Sequence, residues 1–68
     1  MKENEVLRGM ILGMENMGAK FVKNDGVHLF FNIPKGSAID NDKKLIRAKK
    51  AFTKMCGLGL KVRRINVD

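Results

Sequence analysis

Apolar and cationic positions form two interleaved helical patterns between residues 42 and 55. Apolar residues recur at spacings of three and four, as in the buried stripe of an amphipathic helix. They are Leu45, Ala48, Phe52 and Met55. Cationic residues recur at the same spacings on the other side, namely Lys43, Arg47, Lys50 and Lys54, with Lys44 and Lys49 beside them. The pattern predicts a helix over about residues 41–56, with Asp40 favoured as its N-cap and Gly57 as its stop.

The same apolar spacing predicts a first helix over about residues 4–17. Its stripe consists of Leu7, Met10, Ile11, Met14 and Met17. Gly18 follows at the position of a left-handed C-cap. Gly9 and Gly13 lie one turn apart on an adjacent face, and each costs about 1 kcal/mol relative to Ala inside a helix. We therefore expect the sheet or a neighbouring chain to pack closely against these glycines, with a ligand groove as the less favoured alternative.

Alternating apolar residues predict a β-hairpin over about residues 20–33. The Asn-Asp-Gly sequence at 24–26 is a strong turn signal, typical of a short loop with a left-handed glycine. This turn predicts a register in which Phe21 lies opposite Leu29. Val27 is then expected on the core face together with Leu29.

A third strand is predicted over about residues 60–67. Ile65 and Val67 are out of phase with the earlier apolar positions of this strand, so we expect a bulge near Arg63 and Arg64. The element order is α-β-β-α-β in a single domain over residues 1–68. We predict an α+β fold with a three-stranded, antiparallel-type sheet and two helices packed on one face.

Charge narrows the classes of partner. Fourteen Lys and Arg against seven Asp and Glu give a formal net charge of +7 on 68 residues. Such a field attracts nucleic acid or an acidic protein surface. The single cysteine and the lack of an apolar run long enough to cross a membrane favour a cytoplasmic protein without a membrane partner.

The cationic face of the second helix is the first candidate site. After Asp42 no acidic residue occurs until Asp68, whereas an ordinary surface helix mixes both signs. The third strand adds cations that favour phosphate contacts, although ion pairs with Glu3 or Glu5 are a competing explanation for its arginines. The full predicted phosphate-binding set is Lys43, Lys44, Arg47, Lys50, Lys54, Lys61, Arg63 and Arg64.

Phe30 is the second candidate, as a stacking platform or an anchor for a partner. It is predicted to point away from the core, near Lys20, Lys23 and Lys35 around the hairpin. Burial under another element is the more common fate of such a ring. His28 and Cys56 have no partners at catalytic or metal-ligand spacing, so we expect no enzyme, no cofactor, no metal site and no small-molecule substrate.

Two functions remain open. The first is a small basic nucleic-acid-binding protein, an accessory or regulator that contacts phosphates through the second helix, with DNA favoured over RNA. The second is an inhibitor or adaptor of phage or mobile-element type, whose basic face docks on an acidic surface of a partner enzyme. A homodimer is compatible with either function.

Overall fold

The computed structural model describes the backbone of residues 2–66 and the side chains of residues 5–66. The elements are α1 (Lys2–Asn16), β1 (Lys20–Asn24), β2 (His28–Pro34), α2 (Asp42–Cys56) and β3 (Gly59–Ile65). This order confirms the predicted α+β arrangement. Val67, predicted as part of the third strand, lies outside the described residues.

The sheet is mixed, with β2 in the centre. β1 is antiparallel to β2, whereas β3 is parallel to β2. The predicted antiparallel sheet is therefore wrong for β3. Because α2 carries the chain back to the end of the sheet where β2 begins, β3 runs in the same direction as β2.

The hairpin register differs from the predicted one. Phe21 pairs with Phe31 rather than with Leu29, and Lys23 pairs with Phe30. The register shifts between Phe21 and Lys23, so one extra residue of β1 lies in a bulge. Phe21 still contacts the core side of the sheet, since its ring lies edge-on to that of Phe31 at 5.4 Å between centroids.

The turn before β2 explains why Val27 is not in the core. Asp25 Oδ1 accepts hydrogen bonds from the backbone N–H groups of Val27 at 2.8 Å and His28 at 2.6 Å. These bonds fold Val27 into the loop, where it is 63% exposed. They also lower the pKa of the Asp25 carboxyl, with the bond from His28 as the largest cause.

β3 pairs with β2 without interruption, from His28 opposite Gly59 to Pro34 opposite Ile65. The predicted bulge near Arg63 and Arg64 is therefore wrong. In a continuous strand successive side chains point to opposite faces, so the two arginines are separated by the sheet.

Every element contributes to one buried cluster except β1, whose residues are all exposed. Phe31 connects the sheet to α2, because its ring centroid lies 6.2 Å from that of Phe52. The cluster consists of Met14, Ala19, Leu29, Phe31, Ile33, Ile39, Leu45, Phe52 and Leu60. The intervening β2 residues, His28, Phe30 and Asn32, are half-buried. The packing of both helices on a single face stays a prediction.

α1 begins two residues earlier than predicted and ends before Gly18, whose φ of 105° supports the expected C-cap. Ala19 N–H donates to the carbonyl of Met14 at 3.0 Å and so closes the last turn. The expected close packing of the sheet against the helix glycines is wrong, whereas packing of a neighbouring chain there stays a prediction. A Cβ added to Gly9 or Gly13 would meet nothing within 4 Å.

The first residue of α2 is capped by a different side chain from the one we predicted, whereas the helix ends at the predicted glycine. Asn41, not Asp40, is the N-cap, and its side chain accepts a bond from the Lys44 N–H at 3.2 Å. Gly57 ends the helix at a φ of 68°. Its N–H is bonded to carbonyls of the last turn.

The apolar stripe of α2 ends differently from the prediction. Leu45 and Phe52 are buried, whereas Met55 is 60% exposed. The next residue, Cys56, is half-buried, and its Sγ lies 3.8 Å from Met10 Sδ on α1. Because Cys56 stands a full turn beyond Phe52, it takes the inward position expected for Met55.

Candidate nucleic-acid interface

Four cations of α2 form a single line on the side opposite its core stripe. We call this line the helix ridge; it consists of Lys43, Arg47, Lys50 and Lys54, all exposed. At about 1.5 Å per residue the ridge extends for about 16 Å along the helix axis. The side chains recur about once per turn, so each has room to contact a separate phosphate.

No carboxylate is paired with the helix ridge among the described side chains. Asp42 is the one acidic residue within α2. It accepts instead from Arg64 Nη2 at 2.8 Å. Lys44, beside the ridge, donates from Nζ to the carbonyl of Ala38 at 3.2 Å and so helps to hold the preceding loop.

Arg64 joins the end of β3 to the start of α2. Its Nε donates to Asp40 Oδ1 at 2.7 Å, and Asp42 takes the second bond. The hydrogen bond from Arg64 is the main cause that lowers the pKa of Asp40, and a bond from the Gly36 N–H adds to it. The same contacts raise the pKa of Arg64. Asp40, which we predicted as a helix cap, therefore orients an arginine.

This pairing answers the question that the sequence left open for Arg64. The described carboxylates that bind it are Asp40 and Asp42 rather than Glu5, and the side chain of Glu3 lies outside the described residues. Arg64 thus reaches α2, but as a structural ion pair. Its guanidinium is already engaged at two of its nitrogens.

Lys61 and Arg63 lie on the other face of the sheet, away from Arg64. The register places Lys23 and Lys61 on the two sides of Phe30, in one row across the three strands. Lys23 Nζ lies 4.9 Å from the centroid of the Phe30 ring. The next row consists of Lys20, Asn32 and Arg63.

We call these two rows the sheet surface. Its four cations are exposed, and Phe30 and Asn32 between them are half-buried. Sequence periodicity suggested that Phe30 was near the hairpin lysines. Periodicity could not predict that Lys61 lies beside the ring, because this position depends on the parallel pairing of β3 with β2.

A groove lies between α1 and α2, and it is lined by Gly13, where a ligand groove was the less favoured expectation. Its volume is about 350 Å³. Small residues, Gly13, Ala48 and Ala51, leave the space open, and Lys44 and Arg47 stand at its rim. The remaining lining is apolar and comes from Met10, Met14, Met17, Ile39 and Phe52.

Within residues 5–66 no three His, Cys, Asp or Glu side chains are grouped so that they could hold a metal ion. Neither helix of the described chain has the length and apolar character needed to cross a membrane. No protein-family model, curated protein or solved structure is significantly similar to this chain.

Proposed function

We propose that this protein is a small cytoplasmic nucleic-acid-binding accessory or regulatory protein that holds phosphates on the helix ridge. One observation carries the proposal. The ridge presents four exposed cations, and the single carboxylate of the same helix is turned away to Arg64. In a helix whose charged face is simply exposed to solvent, carboxylates one turn away from the lysines add stability. The helix ridge has no such carboxylates among the described side chains.

Duplex DNA is the proposed ligand. A convex helix fits the major groove of B-form DNA, whereas the major groove of A-form RNA is too narrow for side chains to read. Phosphate contacts provide affinity and orientation but little sequence selectivity. The proposed role is therefore that of an accessory whose sequence choice comes from a larger assembly.

The salt dependence of binding tests the proposal. If all four ridge cations contact phosphates, the logarithm of the affinity for duplex DNA falls with the logarithm of the salt concentration with a slope of about −3.6. Replacing Arg47, Lys50 and Lys54 together by glutamine leaves one contact and a slope of about −0.9. Fluorescence anisotropy with a labelled duplex at several salt concentrations measures both slopes.

A matched control removes the same charge elsewhere. Arg8, Lys35 and Lys49 are exposed and lie outside the helix ridge. Their joint replacement by glutamine lowers the net charge equally, and we expect the slope to stay near that of the unchanged protein. Equal slopes in the two triple variants would mean that net charge, rather than the ridge, attracts DNA. Absence of duplex binding at low salt would also contradict the proposal.

The groove favours a second candidate, an inhibitor or adaptor that binds an acidic segment of a partner enzyme. Methionines adapt to different apolar partners, and Lys44 and Arg47 at the rim complement carboxylates. A labelled amphipathic peptide with leucines on one face and glutamates on the other is a suitable probe. Gly13→Leu, which fills the groove, should abolish its binding, while Gly9→Leu, outside the groove, should not.

A further inference from the structure

The sheet surface combines an aromatic ring with cations in its own row and in the row on one side of it, whereas the row on the other side holds His28 and Gly59. Lys23 and Lys61 flank Phe30 in its own row, and Lys20 and Arg63 stand in the next row. Neighbouring strands are about 4.8 Å apart and residues on one face are about 7 Å apart along a strand. The four cations therefore lie beside the ring and on one side of it, in an area of about 10 by 7 Å.

We propose that the sheet surface binds single-stranded nucleic acid, with an unpaired base stacked on Phe30 and the flanking phosphates held by Lys23, Lys61 and Arg63. This goes beyond the helix ridge and does not depend on it. It assigns a second surface and a different form of nucleic acid. The two surfaces would allow one molecule to hold a duplex and an adjacent unpaired strand.

The charge of the surface argues for a polyanion. Both ion pairs found among the described side chains belong to Arg64, so the four cations of the sheet surface have no carboxylate within ion-pair distance there. Lys23 approaches the ring of Phe30 instead. Because Lys23 is exposed, its ammonium group can leave the face of the ring and contact a phosphate when a base stacks on Phe30.

The half-buried ring argues for an unpaired base in particular. Phe30 is held by strands on both sides and lies 6.3 Å from the His28 ring, centroid to centroid. A ring fixed in this way loses little freedom on binding. Bases in a duplex already stack on one another, so only an unpaired base can offer its face to Phe30. The amide of Asn32 in the next row has donors and acceptors for a base edge.

An acidic protein is the competing occupant of a cationic surface. Protein anchors are enriched in several large aromatic or apolar residues at the centre of a contact. The sheet surface has one phenyl ring, one amide, four cations and the exposed Val22 at the bulge. Cations outnumber its apolar side chains, which matches the combination of stacking and phosphate contacts better. Comparing the binding of polyglutamate with that of oligothymidylate distinguishes the two occupants.

The test compares labelled oligothymidylate, oligouridylate and duplex DNA by fluorescence anisotropy. Phe30→Leu keeps an apolar side chain but removes the stacking ring, and we expect its affinity for the single strands to fall about tenfold or more. Phe30→Tyr should restore the affinity. Phe21→Leu is the matched control, because Phe21 is also partly exposed but contacts Phe31 on the other face. The two oligonucleotides show whether the strand preferred is DNA or RNA.

Charge variants provide an independent readout. Replacing Lys23, Lys61 and Arg63 by glutamine should flatten the salt slope for single strands by about 2, since each contact contributes about 0.7. The ridge triple variant should leave that slope unchanged. If the ridge triple variant loses duplex binding but still binds single strands, the result supports the sheet surface as a binding site that is independent of the helix ridge. Duplex binding without single-strand binding overturns only the sheet proposal.

Two further results would overturn it. One is an equal loss of single-strand affinity in Phe30→Leu and Phe21→Leu, which would trace the effect to the fold. The other is binding of polyglutamate as tight as that of oligothymidylate and indifferent to Phe30→Leu, which would assign the surface to an acidic protein. Circular dichroism of each variant establishes that it is folded before these results are compared.

Discussion

Replacing Phe52 by alanine tests how α2 is fixed to the sheet. Phe52 is 1% exposed and its ring contacts that of Phe31 on the central strand. Truncating a buried phenylalanine costs about 3–5 kcal/mol, through lost transfer energy and the cavity left behind. A domain of this size has an unfolding free energy of about 5 kcal/mol. We therefore expect Phe52→Ala to be largely unfolded at physiological temperature.

Met55→Ala is the matched control on the same helix. Met55 is 60% exposed, so we expect a change in unfolding free energy within about 0.5 kcal/mol. The chain has no Trp or Tyr, so urea unfolding is best followed by far-ultraviolet circular dichroism. At about 1 kcal/mol per molar urea, the midpoint should fall by about 3–5 M for Phe52→Ala and by at most about 0.5 M for Met55→Ala. Similar losses in the two variants would mean that Met55, not Cys56, completes the buried stripe.

Two further predictions concern glycines and pH. Gly9→Ala should stabilise the protein by about 1 kcal/mol, because an added Cβ meets open space in a helix; Gly18→Ala should destabilise it, since φ there is positive and the new Cβ would lie 2.8 Å from Ser37 Cβ. A lower urea midpoint for Gly9→Ala would contradict this account of α1. The folded-state pKa of Asp40 is below its ordinary value of 3.8, so its contribution is present above about pH 4 and is lost as the pH falls through the folded-state pKa. Asp40→Asn should therefore weaken the dependence of stability on pH below about pH 4, and an unchanged pH profile would exclude the Arg64 pair as a cause.

The sequence predicted features that short stretches of chain determine. The spacing of apolar residues located α2, and Gly57 ends the helix as expected because a left-handed stop is a local requirement. The register of β1 could not be predicted in this way. It depends on which backbone groups the Asp25 side chain binds and on a bulge that accommodates the result. Each is a competition among several turn geometries of similar energy.

The candidate site also has one part that local sequence predicts and another part that depends on long-range pairing. The helix ridge follows from periodicity alone, since all four cations belong to one element. The sheet surface and the Arg64 pair depend on the direction of β3, which is set by the path of α2 across the sheet. Arg63 and Arg64 are neighbours in sequence, yet the continuous pairing of β3 places them on opposite faces. The bulge that we predicted near them would have directed both arginines outward on the same face.

The central position of β2 has a consequence for the order in which the chain assembles. β1 reaches β2 through a short loop, and hairpins of this kind form in about 1–10 μs. β3 reaches β2 only after the chain has closed the much longer path through α2, which costs more loop entropy. We expect Phe30 to gain Lys23 as a neighbour early and Lys61 late. The complete aromatic and cationic row would then exist only in the fully folded chain, which would prevent a nascent chain released before β3 from engaging the same ligand.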